Sequence, residues 1–160
     1  MERSFASSES GSALIEFAIA LLPLMALLLL AVDVAWSIFA KATLQNAVRE
    51  GVRFAVTGRV TAGNTCLGSS IQQVVAQNSF GFIPTTNAST YVTVTYYSPT
   101  TLSAITGAGG PAGGNVVQVS VSGIALRSFG PLWRAVSPVP LSAIASDVME
   151  SSPNGVAPCP

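Results

Sequence analysis

The hydrophobic and polar positions of the chain predict a membrane-spanning helix near the N-terminus. Residues 17–32 (FAIALLPLMALLLLAV) contain no charge, and a carboxylate stands at each end, Glu16 and Asp33. A helix of this length rises about 24 Å, and extending the apolar run in either direction brings it past the ~30 Å of a hydrocarbon core. Because every backbone amide must be bonded within a segment that lies in lipid, the segment is predicted to be helical. Pro23 marks a bend or a loosened turn.

After Asp33 the pattern becomes that of an amphipathic helix. Apolar residues recur at spacings of three and four, while polar and charged residues share the opposite face. The apolar stripe consists of Trp36, Phe39, Ala40, Leu44, Ala47, Val48, Val52 and Ala55. Such a stripe must be covered, and the chain's own C-terminal domain and other subunits are compatible candidates for covering it.

The two patterns join into one long predicted helix. No proline follows Pro23 in this part of the chain, so the helix is predicted over residues 12–58. It is expected to be membrane-embedded over about 13–33 and amphipathic over 34–58. Gly58 is a plausible residue for its C-terminal stop.

The remaining residues, 59–160, predict a small α+β domain. A short helix is expected where apolar residues share one face after a serine start. Strands are expected where β-branched and aromatic residues alternate or cluster, and their succession predicts a three-stranded antiparallel meander. The predicted helix covers 69–78, and the predicted strands cover 91–97, 116–126 and 141–150. Trp133, in the proline-rich segment 127–140, is expected to be a packing anchor, with surface or subunit contact as the alternative.

Composition and charge exclude several classes of function. Only 9% of residues are charged and the formal net charge is zero, so the chain lacks the basic surface that nucleic-acid binding requires. Histidine is absent, and Lys41 is the sole lysine. This removes most metal sites, histidine-based catalytic triads and general bases near neutral pH. We therefore expect no enzyme activity, no cofactor and no small-molecule substrate.

The chain contains two cysteines, Cys66 and Cys159. They lie far apart and neither belongs to a Cys-x-x-Cys motif, which argues against a zinc or redox site. A single disulfide in an oxidising compartment fits this arrangement. Two buried or unpaired thiols in a reducing compartment remain the alternative, because cysteine is often a small buried apolar residue.

The N-terminus is unlike an ordinary secretory signal peptide. Residues 1–11 (MERSFASSESG) are polar and carry one basic side chain, Arg3, and the apolar run is too long for a signal-peptide core. The sequence from Gly11 to Phe17 (GSALIEF) resembles the processing site of type IV pilin-like proteins. The block from Gln45 to Ala55 (QNAVREGVRFA) is similar to the segment after the span in the TadE-like family of tight-adherence (Tad/Flp) pilus proteins.

The resemblance implies roles for four residues. A membrane-bound prepilin peptidase would cut between Gly11 and Ser12, so that residues 1–11 form a cleaved leader. Glu16, followed by Phe17, would assist processing and assembly by pairing with the new amino group of Ser12 in an adjacent chain. An alternative is that Glu16 is only a solvated carboxylate at the helix end. Pairing has a physical basis, since a carboxylate near hydrocarbon is costly unless a cation accompanies it.

The two indications of membrane orientation disagree. Arg3 and the amino terminus are the only positive groups before the span, whereas Lys41, Arg49, Arg53 and Arg59 follow it. The positive-inside rule therefore favours an external N-terminus. The resemblance implies the reverse, with the domain in the periplasm, and the cysteines agree with it. We adopt the second orientation because only Lys41 lies close to the end of the span.

The sequence thus predicts a pilin-like assembly subunit, single-pass in the inner membrane, with an extracytoplasmic α+β domain. The resemblance implies a minor pilin or pseudopilin whose partners are the prepilin peptidase and other pilus subunits, and which supports adhesion and biofilm formation. One alternative is a signal-anchored binding module or adhesin that acts alone. Another is a membrane-bound enzyme that uses a Ser-Lys pair, for which Lys41 is poorly placed.

Overall fold

The computed structural model describes residues 9–127 and 138–151 of the chain. They form one long helix, two short helices and an antiparallel sheet, which confirms the predicted α+β class. The helices are α1 (Glu9–Val56), α2 (Leu67–Asn78) and α3 (Ala88–Tyr91), and a 3-10 turn, Thr85–Asn87, precedes α3. The strands are β1 (Val92–Tyr97), β2 (Ala104–Ile105), β3 (Val116–Leu126) and β4 (Val139–Val148).

Helix α1 is 48 residues long, about 72 Å at the usual rise, and Pro23 lies inside it. At its C-terminal end Gly58 adopts a left-handed conformation with φ of 62°, which glycine reaches without steric cost. Its amide donates a hydrogen bond to the carbonyl oxygen of Ala55 at 3.0 Å. The chain can therefore leave the helix with this carbonyl satisfied.

Two parts of α1 differ completely in burial. Residues 11–39, which we call the stem, are all exposed or half-buried. From Ala40 onward the apolar stripe is buried, with Leu44 and Val48 fully enclosed. The chain's own domain therefore covers the predicted stripe from Ala40 to Ala55. It leaves the first two stripe residues, Trp36 and Phe39, partly exposed at the end of the stem.

Helix α2 packs against α1 at Gly51. A Cβ atom placed on Gly51 would overlap the Cγ2 atom of Val75, and it would lie 3.6 Å from Cγ2 of Ile71. Gly51, Val75 and Ile71 are all buried. The missing side chain at Gly51 thus sets how closely the two helices approach.

We expect Gly51→Ala to destabilise the domain. Alanine favours a helix over glycine by about 1 kcal/mol, but overpacking a close contact costs about 1–3 kcal/mol. The free energy of unfolding should fall by up to about 2 kcal/mol in a urea titration followed by near-UV circular dichroism. Asn46→Ala, on the exposed face of the same helix, is the control and should not lower stability. Equal stability of Gly51→Ala and the wild type would mean that α2 shifts without cost.

The sheet contains four strands in the order β2-β1-β3-β4, all antiparallel, instead of the predicted three. The three predicted strands are neighbours, as a meander requires. Strand β2 is an additional edge strand of two residues, in which Ile105 pairs with Tyr96 of β1 and Ala104 with Tyr97. Two residues are too few for a periodic pattern, so hydrophobic periodicity does not predict β2.

The ends of the predicted elements shift by a few residues. Helix α2 begins at Leu67 rather than residue 69, and Tyr91 ends α3 instead of starting β1. Strand β4 runs over Val139–Val148 rather than 141–150. Trp133 and most of segment 127–140 lie outside the described residues, so the expectation for Trp133 stays a prediction.

Candidate functional site

The stem begins with the residues that the sequence singles out for processing. Gly11 and Ser12 lie in the first turns of α1, and both are exposed. A Cβ atom built on Gly11 would have no heavy atom of the described residues within 4 Å, leaving out its chain neighbours and the helix's own nearby backbone. Packing among the described residues therefore does not require glycine at this position, unlike at Gly51. A requirement for Gly11 would have to come from another molecule.

Glu16 and Phe17 follow on the same exposed helix, and the side chain of Phe17 is 63% exposed. Within the described part of the chain, the nearest positively charged residue is Lys41. It lies 25 positions further along α1, roughly 37 Å away along the axis. No described cation can therefore reach the Glu16 carboxylate within one chain. A charge partner for Glu16 in an apolar environment would have to come from outside these residues.

Hydroxyl groups near the end of the stem are satisfied by the helix itself. The hydroxyl of Ser37 donates to the carbonyl oxygen of Asp33 at 2.9 Å, and the hydroxyl of Thr43 donates to the carbonyl oxygen of Phe39 at 2.9 Å. Both bonds join residues four positions apart on α1, so neither hydroxyl needs water as an acceptor. Among the described helices, only α1 is long and apolar enough to cross a membrane.

Four aromatic residues meet where the stem enters the domain, and we call them the aromatic cluster: Trp36, Phe39, Phe80 and Phe82. The rings of Trp36 and Phe39 are stacked with centroids 5.6 Å apart, and Phe82 lies 5.9 Å from Trp36. Phe80 contacts Phe39 edge-on at 6.3 Å. Sequence reasoning missed Phe80 and Phe82, although a Phe-Gly-Phe turn directly after a short helix was a visible signal.

A polar groove of about 420 Å³ lies beside α2. Its lining consists of hydroxyl, amide and methyl groups, with no ionisable side chain: Asn64, Ser69, Gln72, Gln73, Thr85, Thr86, Ala88 and Ser89. The amide of Asn64 and the hydroxyl of Thr61 both bond the Gln73 side-chain oxygen, at 2.7 and 3.1 Å. Part of the groove's hydrogen-bonding capacity is therefore used internally, and the groove offers no acid or base.

Tyr96 has the most clearly shifted pKa among the described groups. Its hydroxyl is buried without a hydrogen-bond partner among the described residues, and burial raises the pKa of Tyr96 to about 12. The phenol therefore stays neutral at physiological pH and cannot act as a base. The described residues also contain no group of three or more potential metal-ligating side chains.

The two cysteines can be only partly placed. Cys66 is the N-cap residue of α2, and its carbonyl oxygen accepts hydrogen bonds from the hydroxyls of Ser69 and Ser70, both at 2.9 Å. Cys159 lies outside the described residues. The predicted pairing of Cys66 with Cys159 therefore stays a prediction.

The comparisons with known proteins concern this same stem. No curated protein and no solved structure gives a significant match to the chain. A family model described as TadE-like protein matches residues 11–53. This range contains Gly11, Ser12, Glu16 and Phe17, together with the start of the buried part of α1. Over residues 11–53 the chain is therefore similar to TadE-like proteins, as its sequence pattern predicts.

Proposed function

We propose that the protein is a minor pilin or pseudopilin of a Tad pilus, anchored in the inner membrane by the stem, with its domain in the periplasm. The observation that carries this proposal is the continuity of α1. One unbroken helix joins an exposed apolar half to a half buried in the domain's core. A subunit of this shape can move from a bilayer into a fibre, because the stem exchanges lipid contacts for the stems of neighbouring subunits.

Processing is the first step of the proposed role. A prepilin peptidase would cut after Gly11, which is accessible at the start of the exposed helix. The cut would remove residues 1–11 and leave the amino group of Ser12 as a new positive charge beside the apolar stem. The partners in this proposal are thus the membrane, the peptidase and other pilus subunits.

Glu16 gives the proposed assembly its charge pairing. A carboxylate in the hydrocarbon region costs up to about 3 kcal/mol, and no described cation of the same chain can reach it. The new amino group of Ser12 on an adjacent chain would neutralise it. This pairing would favour one axial offset between neighbouring stems, since other offsets leave two charges unmatched in an apolar environment.

The proposal includes no catalytic step. The polar groove lacks an acid or base, and Tyr96 is buried in its neutral form. Adhesion and biofilm formation would follow from the pilus to which the subunit contributes. The domain would act through its surface contacts with other subunits.

The proposal is tested by Glu16→Gln, which keeps the side-chain shape and removes the charge. The variant should insert and fold normally, while its co-isolation with pilus subunits should fall by about fivefold or more, because a lost charge pair costs about 1–3 kcal/mol. Glu9→Gln is the matched control: it removes a carboxylate from the leader and should assemble normally.

Cleavage must be followed by mass in the same samples, because a processing defect would reduce assembly by another route. If Glu16→Gln is cut normally and co-isolates like the wild type, Glu16 is only a solvated helix end. The charge-pairing step of the proposal would then be wrong.

A further inference from the structure

Phe80 is held in a conformation that costs free energy. Its φ of 57° lies in the left-handed region, which disfavours a residue with a bulky side chain by roughly 1–2 kcal/mol. The ring is nevertheless 84% exposed, so burial of its apolar surface within the domain offsets little of this cost. An exposed aromatic residue held under backbone strain suggests a function outside the monomer.

Hydrogen bonds of Ser79 hold the turn that carries Phe80. The buried hydroxyl of Ser79 donates to the carbonyl oxygen of Ala76 at 2.7 Å and accepts from the amide of Ile83 at 3.0 Å. The amide of Phe82 donates to the carbonyl oxygen of Ser79 at 3.1 Å. The turn is thus closed by hydrogen bonds on both sides of Phe80, and these bonds keep the ring pointing outward.

The position of the turn relates it to the stem. Phe80 contacts Phe39, and Phe82 contacts Trp36, so both rings lie at the level where the exposed part of α1 ends. The four rings of the aromatic cluster therefore form one apolar surface that continues the apolar surface of the stem onto the domain.

The depth of this surface follows from the helix geometry. With the membrane-embedded part ending near Asp33, Trp36 and Phe39 lie about 4.5 and 9 Å further along the axis. A headgroup layer is about 5–7 Å thick and helices are commonly tilted, so both rings fall within this layer or at its outer edge. Lys41, exposed just beyond Phe39, can reach lipid phosphates.

We propose that the aromatic cluster, with Phe80 at its tip, binds the headgroup layer of the bilayer and holds the domain against the membrane surface. The proposal rests on the proposed insertion of the stem. Tryptophan is enriched at this depth, and phenylalanine occurs with it on the apolar face of interfacial helices. The continuity of the cluster with the span points to lipid as its occupant. The contact would fix the orientation of the domain before the subunit leaves the membrane.

Leu102 provides a matched control within the same domain. Like Phe80, it is exposed (73%) and has a left-handed φ, of 54°. Leu102 lies five residues after Tyr97, the last residue of β1. Tyr97 pairs with Val116 of β3, and Val116 pairs with Val148 at the end of β4. That end of the sheet meets the C-terminus of α1, where the amide of Glu150 donates to the carbonyl oxygen of Val56. Leu102 therefore lies at the end of the domain away from the stem.

The test places a single tryptophan in the full-length chain, reconstituted in phosphatidylcholine vesicles. Trp36 and Trp133 are first replaced by phenylalanine, and Phe80→Trp, Leu102→Trp or Leu27→Trp is then added. Lipids brominated near the headgroup end of the acyl chain should quench most of the fluorescence of Phe80→Trp. The fluorescence of Leu102→Trp should be unchanged. Leu27→Trp, in the middle of the span, should be quenched by lipids brominated deeper in the acyl chain.

The outcomes separate this inference from the proposed function. Quenching at Leu27→Trp without quenching at Phe80→Trp would overturn lipid binding by the aromatic cluster and leave the proposed span intact. Absence of quenching at Leu27→Trp would overturn the insertion of the stem, and lipid binding by the cluster with it. The fluorescence emission of Phe80→Trp could instead shift to the blue as the amount of protein per vesicle rises, without quenching by lipid. That result would show that the aromatic cluster contacts a second copy of the protein, and it would overturn lipid binding.

The probe must also be shown to leave the fold intact. Phe80→Trp keeps an aromatic ring in the same backbone conformation, and near-UV circular dichroism checks the domain. Should this variant misfold, Phe82→Trp keeps Phe80 and reports on the same surface, because Phe82 is half-buried in the aromatic cluster. It should be quenched by the same lipids, and an unquenched Phe82→Trp in a folded protein would contradict the proposal.

Discussion

Gly11→Leu should leave the protein uncleaved in the membrane, eleven residues longer than the proposed mature chain. The peptidase in our proposal must accommodate the backbone at this position, and a leucine side chain would obstruct it. The described fold tolerates the change. A Cβ at Gly11 would have none of the described atoms outside its own stretch of helix within 4 Å, and leucine favours a helix over glycine. A loss of cleavage can therefore be assigned to recognition by the peptidase.

The measurement is the intact mass of the protein extracted from membranes that contain the peptidase. Ala18→Leu, which also adds a bulky residue to the exposed stem, is the control and should be cut normally after Gly11. A wild-type mass that corresponds to residues 1–160 would contradict processing. Normal cleavage of Gly11→Leu would contradict the role given to Gly11, and the peptidase would then cut at another position or without recognising glycine.

The helices could be predicted from sequence because their signals are long and periodic. The amphipathic part of α1 shows a repeat of three and four, and the structure buries Leu44, Val48 and Val52 from that repeat. The stem could be predicted for a different reason, since a long uncharged run excludes most alternatives to a span. Its exposure in the structure is what a lipid-facing helix requires.

The contacts between elements could not be predicted from the same pattern. Gly51 belongs to the block that resembles the TadE-like family, but its close approach to Val75 depends on how α2 folds back onto α1. Glycine in a helix gives no local sign of such a contact. Hydrophobic periodicity identifies the face of a helix that is covered, whereas the distance to the covering helix depends on side chains far away in sequence.

The aromatic cluster was missed for a related reason. Trp36 and Phe39 belong to the apolar stripe, whose pattern predicts burial. They are nevertheless partly exposed, because the domain covers α1 only from Ala40 onward. Phe80 and Phe82 come from a turn, where periodicity carries no information. The left-handed conformation of Phe80 also runs against its intrinsic preference, so local rules predict another residue type at that position.

Removing the predicted disulfide between Cys66 and Cys159 should strongly destabilise the domain. The bond would close a loop of about ninety residues, and in the chain-entropy model this contributes up to about 4.5 kcal/mol. The described end of the chain lies beside the C-terminus of α1, ten residues before Cys66. The amide of Glu150 donates a hydrogen bond to the carbonyl oxygen of Val56 at 3.3 Å. Cys159 is the eighth residue after Ser151, and eight residues can span up to about 28 Å.

The sharpest test compares Cys66→Ala, Cys159→Ala and the double variant in urea titrations followed by near-UV circular dichroism. If the two cysteines form one bond, all three variants should lose the same free energy of unfolding, because either change removes the whole cross-link. Alanine is chosen because serine at position 66 would act as a helix cap for α2 and mask about 1 kcal/mol of the loss.

A reductant should destabilise the wild type by the same amount and leave the stability of the double variant unchanged. Additive losses in the single variants, or two cysteines that alkylate freely in protein denatured without reductant, would show that no such bond exists, and the periplasmic assignment would lose one of its supports.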